Sequence, residues 1–172
     1  MVSFFRLAFV LFLCSCTLDD GQSDSLVPFL YQVEGPGYKF TVDARAYREI
    51  DFNRGRAAFC GIDTEIKAIS RRSNMLTLEI LKPKNCNGTY QLLWDGKWQE
   101  SNPRRIQIYL ISEFPSCSAT GEMVPETIAV DLAKALSPSG QYDQTPFSIY
   151  IREQCNARDY HCEGDCDLVN RS

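Results

Sequence analysis

The sequence predicts an all-β fold, an antiparallel β-sandwich of immunoglobulin-like or similar type cross-linked by disulfides, on three observations. Short runs of β-branched and aromatic residues recur at near-regular spacing from residue 27 onward, separated by Gly, Pro and Asn turn signals. The chain of 172 residues is 44% apolar and 23% charged, a globular balance with enough length to bury a core. Six of its cysteines lie within that β-rich region, an even number suited to pairing.

Taken in order, Val27–Val33 and Tyr38–Val42 read as strands around the turn signal Glu34-Gly35-Pro36-Gly37. Residues 44–56 carry no decisive period and are left unassigned. Thr64–Arg71 and Met75–Lys82 read as a hairpin. Ile66, Ala68 and Ser70 alternate on one strand, and Leu76, Leu78 and Ile80 on the other. Pairing Ile66 with Ile80 and Ala68 with Leu78 puts both sets on one face and leaves Arg72-Ser73-Asn74 as the loop, Asn74 being suited to a left-handed conformation.

Tyr90, Leu92 and Trp94 alternate next, followed by the tight-turn signal Asp95-Gly96. Pro103 interrupts the pattern, and Arg105–Ser112 resumes it with Ile106, Ile108, Tyr109 and Ile111. Residues 124–136 fit a helix through Ile128, Leu132, Ala135 and Leu136, and a strand through Ile128, Val130 and Leu132; the β-branched residues favour a strand ending near Asp131. Residues 137–145 read as a loop, and Phe147–Arg152 as a last alternating strand.

The extreme N-terminus has a different character. Arg6 precedes an apolar stretch, Leu7–Leu13, whose seven residues make about 10 Å of helix, too short to span a bilayer. The stretch ends in Leu13-Cys14-Ser15-Cys16, which resembles the lipobox of bacterial lipoproteins, with Leu13 at −3 and small Ser15 at −1. The resemblance implies removal of residues 1–15 as a signal peptide, lipid attachment at Cys16 and anchoring to a membrane. Thr17 rather than Asp after the cysteine implies the outer membrane, the domain facing periplasm or exterior. An unlipidated chain would be secreted. Residues 16–26 are polar and read as a flexible tether, and residues 27–172 as one β-sandwich domain with a cysteine-rich C-terminal segment.

Beyond Cys16 stand Cys60, Cys86, Cys117, Cys155, Cys162 and Cys166. Export favours disulfides over thiolate chemistry. Extending the hairpin register outward puts Cys60 opposite Cys86, a bond expected to stabilise the fold by about 3.5 kcal/mol. Cys117 with Cys155, and Cys162 with Cys166, complete one of the pairings that six cysteines allow. The segment from Asp159 to Asp167 gathers His161, two cysteines and four acids, but lacks the ligand spacing of zinc or calcium sites, and reads as a solvated, disulfide-stapled knob.

Functional signals are sparse. His161 is the single histidine, and no G-x-S-x-G elbow or glycine-rich phosphate loop is present. The formal charge of −4, and basic runs no longer than Arg71-Arg72 or Arg104-Arg105, argue against nucleic acid and against electrostatic docking on anionic lipid. Trp94 and Trp98 flank the Asp95-Gly96 turn as a candidate binding surface, or else as packing residues. Asn87-Gly88-Thr89 and Asn170-Arg171-Ser172 are glycosylation sequons that matter only in a eukaryotic secretory pathway. The expectation is a non-enzymatic interaction or structural module of the cell envelope, without cofactor, whose partners are the membrane and an envelope protein. A secreted eukaryotic inhibitor or effector and a metal-assisted or carboxylate-based hydrolase are the alternatives.

Overall fold

A computed structural model describes residues 30–56, 58, 60, 62, 64–114, 117, 121–137, 146–156 and 158–169. The leader, Cys16, the tether, the second sequon and most of the loop at 137–145 lie outside the described residues.

The strands form two sheets, as expected. The larger contains β1 (Tyr31–Gly35), β2 (Tyr38–Val42), β5 (Thr89–Trp94), β6 (Arg104–Glu113), β8 (Phe147–Glu153) and β9 (Asp159–Glu163), side by side in that order. The smaller runs β10 (Cys166–Val169), β3 (Glu65–Arg72), β4 (Met75–Pro83), β7 (Met123–Asp131). Phe40, Leu92, Ile108 and Ile149 of the first meet Ile66, Leu78 and Val130 of the second in one core, all fully buried. Each strand contributes alternate residues to it, the pattern a sandwich requires.

The pairing departs from a wholly antiparallel arrangement. β2 pairs with β5, and β6 with β8, in parallel. Parallel neighbours need a crossover. Here the crossovers are pieces of the other sheet: the β3–β4 hairpin intervenes between β2 and β5, and β7 between β6 and β8. The chain thus weaves from layer to layer.

Residues 44–56, unassigned by pattern, contain the helix α1 (Ala44–Asn53). Its signals are local. Asp43 caps it, accepting from the N–H groups of Arg45 and Ala46 at 2.9 Å each. Gly55 follows it with φ of +71°, a left-handed conformation that glycine takes without steric cost. Tyr47 packs from α1 onto Leu93 and Tyr109 on the outer face of the larger sheet, forming a second small core. In the ambiguous stretch, the strand ends at Asp131 as expected. That same Asp131 caps a short helix, α2 (Leu132–Leu136), accepting from Ala133 and Lys134. Both readings apply, to successive parts.

The β3–β4 hairpin begins in the expected register, Ile66 opposite Ile80, and then changes. A bulge at Lys67 puts Ala68 opposite Glu79 instead of Leu78. One extra residue reverses the faces, so Ile69 and Arg71 point inward where Ala68 and Ser70 were expected to. The loop shrinks to Ser73-Asn74, with Ser73 rather than Asn74 at positive φ. Buried Arg71 is accommodated by donating to the Phe147 and Ser73 carbonyls, with its guanidinium 4.0 Å from the Phe147 ring centroid.

The C-terminal segment is a strand pair rather than a solvated knob. β9 completes the larger sheet beside β8, and β10 lies on β3 in the smaller one, so one tight turn passes between the layers. Cys162 is fully buried there.

The bulged register makes a direct prediction. Ile69→Ala should cost about 2–5 kcal/mol as a core truncation, whereas Ala68→Ser should stay within about 0.5 kcal/mol as a surface change. Urea unfolding checks it; the reverse ranking would restore uninterrupted alternation.

Candidate functional site

The six cysteines form three disulfides, and two of the pairings differ from expectation. Cys60 bonds Cys155, Cys86 bonds Cys117, and only Cys162–Cys166 is as anticipated. Cys60–Cys86 fails because the β3–β4 ladder ends at Glu65 opposite Leu81. Past that point the chain after β4 follows β7 instead, Lys84 donating to the Glu122 carbonyl at 2.7 Å. That path carries Cys86 to Cys117, which follows β6, and leaves Cys60 to the end of β8.

Trp94 and Trp98 do not form an exposed surface. Trp94 is 4% exposed, and its indole N–H donates to the Lys97 carbonyl at 3.1 Å. Trp98 packs edge-on against Trp94 and Phe147, with Arg104 over its ring at 4.3 Å. These are packing contacts, the blander of the two readings.

The acids around His161 are distributed. Asp165 accepts from the Ser73 N–H at 2.7 Å, Asp167 pairs with Arg72 at 3.3 Å, and Asp159 pairs with Arg54 and Arg152. His161 is exposed and stacks on Tyr150, ring centroids 4.3 Å apart. The two cysteine sulfurs nearby are bonded to each other. Among the described residues, no group of three or more His, Cys, Asp and Glu is placed to hold a metal ion.

Among the described residues, a dense polar cluster lies between α1 and the larger sheet, where no motif along the chain points. Arg152 from β8 pairs with Asp51 of α1 at 2.6 Å and with Asp159 of β9 at 3.4 Å. Tyr109 from β6 donates to Asp51 at 2.5 Å, with Arg152 and Arg54 over its ring at 4.9 and 5.6 Å. Partial burial works to raise the pKa of Asp51, but the Tyr109 hydroxyl, Arg152 and Arg54 outweigh it and lower it below the usual carboxylate range. Tyr109 is pushed the other way by burial and by its bond to Asp51. Asp51 lies 58 residues from Tyr109 and 101 from Arg152, separations no local pattern records. Their chemistry is mutual neutralisation, which docks the helix.

A small cavity lies where β8 ends, lined by Thr64, Ser112, Leu110 and Glu153 beside the Cys60–Cys155 bond. The two hydroxyls are 2.7 Å apart, and the Glu153 carboxylate accepts from the Ile66 N–H at 2.6 Å. Its volume of about 20 Å³ admits one water molecule and no organic substrate. Compared with protein-family models, with curated proteins and with solved structures, the chain matches none.

Two outcomes follow from these contacts. Non-reducing peptide mapping should recover the three linked pairs above; replacing Cys60 and Cys155 together should cost about 4.7 kcal/mol, against about 2 kcal/mol for the short Cys162–Cys166 loop. Because Asp51 has a lowered folded-state pKa, its contribution is fully present above the unfolded carboxylate value of about 3.9 and is lost as pH falls through the folded value. Acid titration of stability should therefore flatten at its low-pH end in Asp51→Asn, and a curve parallel to the parent's would contradict the assignment.

Proposed function

We propose that the chain is an exported lipoprotein of the cell envelope, held to the outer membrane through lipid on Cys16, whose β-sandwich serves as a non-enzymatic interaction or structural module. One observation carries the reading: the three disulfides use all six cysteines beyond Cys16. A domain cross-linked in this way suits an oxidising compartment. Of eight cysteines in the sequence, only Cys14 and Cys16 remain, both inside the lipobox-like motif. The described residues support a module rather than an enzyme through what their polar groups do. Asp51, Asp159, Asp165 and Asp167 are engaged with partners inside the chain, and the small cavity is the size of a water molecule.

Mass spectrometry of the mature N-terminus tests the proposal. A diacyl or triacyl Cys16 is expected, and Cys16→Ser should release the protein from the membrane fraction. An unmodified N-terminus at or beyond Cys16 would overturn the anchor and leave a secreted disulfide-bonded protein, the alternative for which exposed Asn87 in its sequon becomes relevant.

A further inference from the structure

We propose that the outward stripe of α1, formed by Arg45, Arg48 and Phe52 together with Arg56 just beyond it, docks on an anionic phospholipid surface. The helix presses Ala44, Tyr47 and Asn53 toward the sheet, which turns the opposite side to solvent. At 100° per residue, Arg45 and Phe52 fall on nearly the same outward line, with Arg48 and Glu49 on either side. Phe52 is 71% exposed, the most exposed of the large apolar side chains among the described residues. The Arg56 guanidinium lies 4.5 Å from its ring centroid. A stripe that carries one outward aromatic ring, Arg56 against that ring and arginines along the preceding turns, with Glu49 the acid on it and Asp51 turned aside to Arg152, matches an interface of negative headgroups over an apolar layer.

The path of the chain selects the membrane over other acidic partners. The described part starts at Leu30, whose N–H donates to the Val42 carbonyl at 2.9 Å, next to the Asp43 cap of α1. The polypeptide from Cys16 to Leu30 spans at most about 50 Å, and α1 is about 15 Å long. A lipid on Cys16 would therefore keep the whole stripe within reach of the bilayer. This part of the argument rests on the proposed lipidation. Tethering makes the second contact intramolecular, so a weak surface suffices. The basic residues escape notice as a run because they are three and more positions apart and converge only on a helix.

The test uses the mature chain made without residues 1–15 and carrying Cys16→Ser, so that no lipid contributes. Its failure is then separate from that of the anchor, which the N-terminal mass reads. Co-sedimentation should show binding to vesicles of one part phosphatidylglycerol to two parts phosphatidylcholine, weakening with salt, and little binding to phosphatidylcholine alone. Arg45→Glu and Arg48→Glu should each lower partition by roughly fivefold or more, and Phe52→Ala by about tenfold. Glu49→Ala should raise it severalfold above the pellet formed without vesicles, with an unchanged urea unfolding midpoint to show that the fold is intact. Absence of binding to the anionic vesicles at millimolar lipid, or partition unchanged across these variants, would overturn the proposal, including the case in which the stripe serves an acidic protein.

Discussion

The two sheets are joined along the edge of β3 that β10 leaves uncovered. β10 pairs with β3 only from Ala68 to Arg71, so the backbone at Ile66 lies beyond its reach. Side chains from the larger sheet fill the gap. The Glu153 carboxylate takes the Ile66 N–H at 2.6 Å, and the Tyr160 hydroxyl donates to the Ile66 carbonyl at 3.1 Å. Asn156 donates to the Thr64 carbonyl, Arg158 pairs with Glu65, and Cys155 is bonded to Cys60. The segment from β8 to β9 thus takes the place of an extra strand along the first half of β3. A buried backbone group left without a partner costs about as much as a lost hydrogen bond, roughly 1–3 kcal/mol. Satisfying Ile66 from the opposite layer binds the register of one sheet to the position of the other.

Several other features depend on that junction. The bulge at Lys67 begins just past Ile66 and turns Ile69 into the core and Arg71 toward Phe147. The end of β8 is held in place, which positions Arg152 on the outer face and with it the ion pairs to Asp51 and Asp159. α1 is fastened through the same region, since Arg54 donates to the carbonyls of Glu153 and Arg158. Core, bulge and helix share one line of contacts.

What could be read from the sequence was set by range. β2, bounded by a turn at Gly37 and by Asp43, was legible to the residue. The strand ending near Asp131 was legible in outline, because β-branched residues stop there. The bulge was not, since Glu-Ile-Lys-Ala-Ile-Ser fits uninterrupted alternation through Ala68 as well as it fits Ile69 after an extra residue. Parallel pairing and the Cys60–Cys155 and Cys86–Cys117 bonds depend on which layer the chain enters next, and hydrophobic period carries no such information. α1 is a different case. Asp43 and Gly55 bound it but entered no reading along the chain, and Arg45, Arg48 and Glu49 on its outer side masked the apolar spacing of Ala44, Tyr47 and Ile50.

That omission bears on function more than the others. A run-based count of charge treats basic residues as scattered and excludes an electrostatic surface, but a helix converts spacing into proximity. Arg45 and Phe52 are seven residues apart and share one line on α1, whereas Arg71 and Arg72 are adjacent and divide between core and solvent. The polar groups that looked most like chemistry, around His161 and among the C-terminal acids, are largely taken up by contacts within the fold. Trp94 is consumed by the core in the same way. What α1 gathers on its outer side, Arg45 and the exposed ring of Phe52, was assembled by helical spacing and not by any motif read along the chain.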